Sequence, residues 1–182
     1  MHILICSLLL ISVLKSSVAN DEHCDIKSDT KEETDESYTF IALKPDAVER
    51  GFVGELISRF ERKGFRLVEM SLRRPDKELL EEHYEEHRGK PFFDSLIAYM
   101  SEGPVIATIW EGENVIQSAR NMLGATNPLK AAPGTIRGDL ATSTERNLVH
   151  ASDSSESAKR EIRLWFPDKK VLPEDNIRDC WV

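Results

Sequence analysis

Asn147-Leu-Val-His150-Ala-Ser152-Asp153-Ser154 is the stretch whose reading decides this chain. Asn147 to His150 reads as a short strand, and Asp153-Ser-Ser-Glu156 is a capping-box pattern that opens a helix running to Trp165. A strand passing into a capped helix is the last unit of an alternation that extends back through the chain. Tyr38-Thr-Phe-Ile-Ala-Leu43 is a β-rich run ended by Lys44-Pro45, which predicts a buried strand. Val53, Leu56, Ile57 and Phe60 recur at helical spacing up to Lys63-Gly64, a basic last turn and a glycine stop. Phe65 to Leu72 alternates as a strand. Asp76 caps a helix bearing Leu79, Leu80 and His83, and Pro91 starts another through Leu96, Ile97 and Met100. Pro104 to Trp110 is a continuous apolar strand, and a helix from about Asn114 to Leu123 closes at Gly124.

Thr126 to Leu140, broken by Asn127-Pro128, Pro133-Gly134 and Gly138, is expected to be a long irregular loop before the His150 strand. Loops of that length inside a domain are usually functional. The order β-α-β-(α)-β-α-β-α predicts an α+β fold of the ferredoxin-like, split βαβ kind: a four-stranded antiparallel sheet with helices on one face.

The ends differ in composition from this domain. Ile3 to Leu14 is mostly apolar, too short to span a bilayer, and Ser17 and Ala19 stand as in a cleavage site, so residues 1–19 are expected to be a signal peptide. Residues 20–37 carry eight acids, two lysines and one sizeable apolar side chain, Ile26, and are expected to be a disordered acidic tail. The domain is then 38–182. Export would leave Cys24 and Cys180 as the mature cysteines, paired with each other, paired between subunits, or free. Three cysteines in all exclude a disulfide-stapled miniprotein or a Cys-rich zinc module.

The net charge of −8 in 182 residues speaks against a nucleic-acid binder. It is unevenly spread: the tail holds −6 and the domain −3, with Lys15 in the leader. Near-neutral overall, the domain has room for a basic site. His150 ends its strand where a helix N-terminus offers free amides and about half a positive charge, a setting that favours phosphate. Imidazole, with an unperturbed pKa near 6.5, is a competent nucleophile at neutral pH. Glu161, two turns into the helix, is placed to reach back to Ser152 and the ring. Lys44, Arg120 and Arg137 are candidate phosphate-binding cations. A P-loop and the glycine-rich loop of protein kinases are both absent from the sequence.

Ile41-Ala-Leu-Lys44-Pro45-Asp46, Arg50-Gly-x-x-Gly54, His83-Tyr84 through Lys90-Pro91-Phe92-Phe93, Asn127-Pro128, Pro133-Gly-Thr-Ile-Arg137-Gly-Asp139 and Arg146-Asn147-x-x-His150-x-Ser152-Asp153 together resemble nucleoside diphosphate kinase, in order from about Tyr38 to Phe166 and more faintly to Trp181. The resemblance implies ping-pong transfer of the γ-phosphate from a nucleoside triphosphate to a diphosphate. It implies His150 as the phosphorylated nucleophile, supported by Glu161 and Ser152, with Tyr84 lying against it. Lys44 and Asn147 would hold the ribose, and Lys44 also the transferring group. Arg120 and Thr126 would grip the β-phosphate and Arg137 the γ; His87 would lie near the α-phosphate, and Phe92 would stack on the base. Mg2+ would enter bridging the nucleotide phosphates rather than in a carboxylate cage. A homo-oligomer is implied, a hexamer ahead of a tetramer, with no membrane anchor and no nucleic acid as main partner.

The chain departs from the family pattern at Ala151 and Ala47, where glycine is usual, and at Thr144-Glu145, where a small apolar pair often flanks the base. If the Ala151 position needs positive φ, alanine costs geometry. Secretion, or residence in the lumen of the secretory pathway, is the expected location. The competing reading is a secreted nucleotide- or receptor-binding protein of the same fold with little or no turnover.

Overall fold

The computed structural model describes residues 37–168. The expected leader at 1–19, all but the last residue of the tail at 20–37, and Cys24, Cys180 and Trp181 lie outside the described residues. Four strands, β1 (Tyr38–Leu43), β2 (Arg66–Arg73), β3 (Val105–Glu111) and β4 (Val149–Ala151), form one antiparallel sheet in the order β2-β3-β1-β4. β1 occupies the interior, pairing with β3 from Tyr38↔Glu111 to Leu43↔Ile106 and with β4 through Ala42↔His150. This is the expected ferredoxin-like sheet.

The helices are α1 (Pro45–Glu49), α2 (Val53–Arg62), α3 (Lys77–His83), α4 (Phe93–Ser101), α5 (Val115–Leu123), α6 (Ile136–Leu140) and α7 (Ser155–Trp165). They cover both faces of the sheet, which corrects the expectation of one. Ile41, Leu43 and Trp110 pack with Leu56 and Phe60 of α2 and Val115, Ala119 and Leu123 of α5. Phe40, Ala42 and Ile109 pack with Leu80 of α3, Ile97 and Met100 of α4, and Ile162 and Trp165 of α7. The cause is visible in β1 and β3, whose continuous apolar runs lack the alternation of a strand with one wet face.

Most element ends fall within two residues of the sequence reading, and three differences matter. The capping box at α7 is formed one residue later than expected: Ser154 Oγ accepts the Ser157 N–H while Ser157 Oγ accepts the Ser154 N–H, and Glu156 takes no part. The expected loop at 126–140 holds a 3-10 turn (Pro128–Lys130) and α6, capped by Thr135 Oγ1 on the Gly138 N–H. α1 was unforeseen, because five residues are too few to show helical periodicity and Lys44-Pro45 reads as a strand end. Pro45 sits at its first turn, where a missing N–H costs nothing.

Gly124 ends α5 at φ 79°, ψ 179°, a conformation essentially reserved for glycine, and a Cβ there would collide with Thr135 Oγ1. Gly124→Ala is therefore expected to lower the unfolding free energy by about 1–3 kcal/mol, read as a fall in the urea midpoint at unchanged slope. An unmoved midpoint would show that the α5–α6 junction yields freely.

Candidate active site

The site grows from the turn that delivers β4. Leu148 has φ 73°, and the Val149 N–H donates to the Asn147 carbonyl across it at 2.9 Å. A three-residue turn of this hand is rare and strained for a side chain with a Cβ. It is held from both sides of the peptide: the Leu148 N–H donates to Asp46 Oδ2 (3.2 Å), and its carbonyl accepts the Lys44 N–H (2.8 Å). Asp46 is buried in α1, and its other oxygen accepts the Tyr99 hydroxyl. Neither Asp46 nor Tyr99 was singled out by sequence. Asp46 was readable only as part of a motif, since a buried acid has no periodic signal.

Two residues on, His150 sits half-buried with its Nε2 2.9 Å from Glu161 Oε1, while Ser152 Oγ donates to Glu161 Oε2 at 2.6 Å. A carboxylate accepts only, so Nε2 carries the ring proton and the Nδ1 lone pair is left free. No described residue bonds Nδ1. Burial alone would raise the Glu161 pKa; the His150 charge and hydrogen bond, then His83 and the Ser152 hydroxyl, outweigh it and hold the carboxyl below the usual range. His83 packs its ring edge-on against His150, centroids 4.6 Å apart, and its Nδ1 accepts Trp165 Nε1–H at 3.2 Å. Burial first, then the charge on His150, push His83 well below 6.5, so it is neutral at pH 7. Its place on the apolar face with Leu79 and Leu80 was legible; its contact with His150 was not.

A cleft of about 830 Å³ is lined by His150. Every site residue expected from sequence lines it except Ser152, which is buried beneath as a support for Glu161. Lys44, at the end of β1, donates from Nζ to Asn147 Oδ1 (2.8 Å), and Asn147 Nδ2 donates to the Thr126 carbonyl (3.3 Å). Arg137, at the start of α6, is pinned by the carbonyls of Gly124 (2.9 Å), Val149 (2.7 Å) and Asn147 (3.4 Å). Arg120 lines the cleft exposed, near the end of α5. None of the three cations is paired to a carboxylate among the described residues. Burial first, then Arg137, lower Lys44 to about 8; burial first, then Arg120, lower Arg137 to about 10.

At the cleft's other end Phe92 is 48% exposed, with the His87 ring edge-on at 5.5 Å and Lys90 Nζ 3.0 Å from His87 Nδ1. Tyr84 is buried between, 6.0 Å edge-on from the His150 ring. Burial, then Glu161, raise its pKa, which keeps the hydroxyl protonated at neutral pH. Ala151 lies in β4 without positive φ, and Ala47 is buried inside α1, also without it, so neither departure carries the backbone cost that glycine would relieve.

An imidazole with one nitrogen locked and the other open, near Lys44, Arg120 and Arg137, none of them ion-paired among the described residues, defines the class: an α+β protein whose cleft is built for polyphosphate ligands. The comparisons agree. Residues 37–171 match the family profile described as nucleoside diphosphate kinase. The chain is 54% identical over 144 residues to a nucleoside diphosphate kinase of Carboxydothermus hydrogenoformans, covering 79% of this chain and 97% of that one. It is 51% identical to one from Saccharomyces cerevisiae, covering 79% and 94%. The solved structure of a halophilic nucleoside diphosphate kinase from Halobacterium salinarum in complex with CDP superposes with a TM-score of 0.76 at 42% identity, over 80% of this chain and 97% of that one. The chain belongs to the nucleoside diphosphate kinase family, as a phosphotransferase acting on nucleotides.

The Lys44 shift fixes a stability signature. With a native pKa of about 8 against 10.5 unfolded, the unfolded chain binds the extra proton between those values, so native stability rises with pH across that window. Lys44→Met removes the group and that rise. From pH 7 to 10.5 wild type is therefore expected to gain about 2–3 kcal/mol relative to Lys44→Met, measured as the difference in denaturant unfolding free energies. Parallel pH profiles would mean that Lys44 is not desolvated.

Proposed function

We propose that this chain transfers the γ-phosphate from a nucleoside triphosphate to a nucleoside diphosphate by a ping-pong route through a phosphohistidine on His150 Nδ1. The observation that carries the reading is the locked Nε2: with Glu161 accepting its hydrogen bond, the Nδ1 lone pair is left for a ligand in the cleft that His150 lines. In the first half-reaction Nδ1 attacks the γ-phosphorus, the bond to the β-bridging oxygen breaks, and the nucleoside diphosphate leaves. In the second, a terminal oxygen of the acceptor diphosphate takes the phosphoryl group back from nitrogen. Positive charge that develops on the ring in the first step is met by Glu161, which Ser152 keeps oriented.

The other roles follow from the charges. Arg137 and Lys44 bind the transferring group, Arg120 and Thr126 the β-phosphate, and His87 lies towards the α-phosphate. Asn147 and Lys44 hold the ribose, and Phe92 stacks on the base, which tolerates any base because each has a π-face. The Tyr84 hydroxyl, kept protonated, serves as a donor beside the nucleophile. Phosphoryl transfer needs positioning and charge neutralisation above all.

The cleft's acids are largely engaged elsewhere: Glu161 with His150 and Ser152, Asp153 with Ser157 Oγ, Glu102 with Arg146. His83, His150 and Glu161 bring ligand atoms within 4.8 Å of one another, yet His150 Nε2 is already bonded to Glu161 and His83 Nδ1 already accepts from Trp165. This donor set suits Mg2+ carried in on the nucleotide phosphates, where it would neutralise charge across the β- and γ-oxygens.

The leader composition of residues 1–19 supports export and action on extracellular or lumenal nucleotides, and among the described residues no helix is long and apolar enough to cross a membrane. The family resemblance favours a homo-oligomer, a hexamer ahead of a tetramer. Protein secreted by an expressing cell should begin at about Asn20 on N-terminal sequencing; an intact Met1 would refute export.

Incubation with labelled ATP should leave an acid-labile, base-stable label on the protein. In His150→Gln the label should be absent and transfer from ATP to GDP should fall more than about 10³-fold. Transfer that survives this substitution would remove His150 from the reaction.

A further inference from the structure

Thr144 and Glu145, just before the Arg146-Asn147 pair, both lie on the wall of the nucleotide cleft. Glu145 is exposed and has no hydrogen bond or ion pair among the described residues. Its neighbour Arg146 offers it no partner, being engaged with Glu102 at 2.8 Å and lying 5.0 Å over the Tyr99 ring. The other carboxylates lining this cleft all meet protein groups (Glu86 lies 3.7 Å from His87, Glu102 bonds Arg146, Asp153 bonds Ser157, Glu161 bonds His150 and Ser152), so Glu145 is the acid left open among them. It shares the cleft with exposed Phe92, the aromatic surface for the base, while Lys44 and Arg137 are buried or half-buried beside His150.

We infer that Glu145 is a specificity-determining residue that reads the hydrogen-bonding edge of the base and favours guanine over uracil. The inference rests on the proposed orientation of the nucleotide, phosphates towards His150 and base on Phe92. Guanine presents two adjacent donors, N1–H and N2–H, which the two oxygens of an acceptor-only carboxylate accept together. Uracil presents one, N3–H, flanked by two carbonyl oxygens that repel the carboxylate. Hypoxanthine keeps N1–H and lacks the amino group, so it falls between. Stacking on Phe92 is blind to these differences; the carboxylate is what breaks the tie, partly by attraction and partly by repulsion of the wrong edge.

The test uses the full chain with Mg·ATP as constant donor and GDP, IDP and UDP as acceptors, in wild type, Glu145→Gln and Glu145→Gly. In wild type kcat/KM should fall in the order GDP, IDP, UDP, with about tenfold between the ends, the scale of a solvent-exposed bond to a charged group. In Glu145→Gly the spread should collapse, through KM for GDP rather than through kcat, and Glu145→Gln, which keeps one acceptor oxygen, should fall between. Equal spreads in all three proteins overturn the inference. So does a uniform rise or fall for all three acceptors, which would mean that the carboxylate acts only on phosphate charge. Calorimetric titration of Mg·GDP and Mg·UDP reads the same ratio without turnover. A failure of phosphotransfer would therefore refute the proposed function while leaving the base preference measurable.

Discussion

A leucine at φ 73° is the constraint from which the site follows. Such a conformation costs on the order of 1–3 kcal/mol and persists only where its surroundings leave no alternative. Here those surroundings are two hydrogen bonds to the same short segment, Leu148 N–H to Asp46 and Leu148 C=O from the Lys44 N–H. The segment is itself fixed by β1, buried from Thr39 to Leu43, and by the Tyr99 hydroxyl on Asp46. The turn thus ties the end of the first strand to the start of the last. It directs Asn147 to Lys44 on one side and His150 to Glu161 on the other. Relaxing Leu148 would move both halves of the site together.

The neutral shell around His150 follows from its place between two packed layers. Phe40 and His83 meet the ring on the α3–α7 face, with Trp165 packed behind both; burial there keeps His83 uncharged, and Glu161 supplies the carboxylate that bonds the imidazole. A helix face that would ordinarily be only core thereby also sets the polarity beneath the nucleophile. The second covered face of the sheet is accordingly part of the site as well as of the fold.

The succession of strands and the longer helices along the chain was legible because it depends on apolar periodicity, and β1 and β3 even carried, in their unbroken apolar runs, the evidence for two-sided burial. His150, Ser152 and Glu161 were legible because spacing along one βα unit is local geometry: a strand end, a cap, and a position two turns up the helix. Convergence of the cations was not. Arg120 near the end of α5 looks like any base complementing a helix dipole, and Arg137 looks like a loop charge, until α6 and its three carbonyl partners appear. Only the resemblance across the whole ordered set of motifs joined them. Leu148 was hidden for a simpler reason, since positive φ is announced by glycine and here there is none.

The way each charge is held separates structural from functional electrostatics. Asp46 and Glu161, buried acids, hydrogen-bond a phenol, a backbone N–H, an imidazole and a hydroxyl, with Arg160 4.0 Å from Glu161, so these bonds fix geometry without an ion pair to Lys44, Arg120 or Arg137. Arg137 is fixed by carbonyl oxygens, which orient a guanidinium but carry no net charge to cancel it. Lys44 is fixed by an amide oxygen in the same way. Had any of these partners been a carboxylate, the anchoring would be stronger and the cleft's field weaker. The desolvation that lowers Lys44 and Arg137 is the cost of that arrangement, and an incoming polyphosphate is the charge that relieves it. A chain of net charge −8 therefore keeps a cationic cleft by holding −6 of that charge in residues 20–37, ahead of the fold, and by leaving Lys44, Arg120 and Arg137 without a carboxylate partner among the described residues.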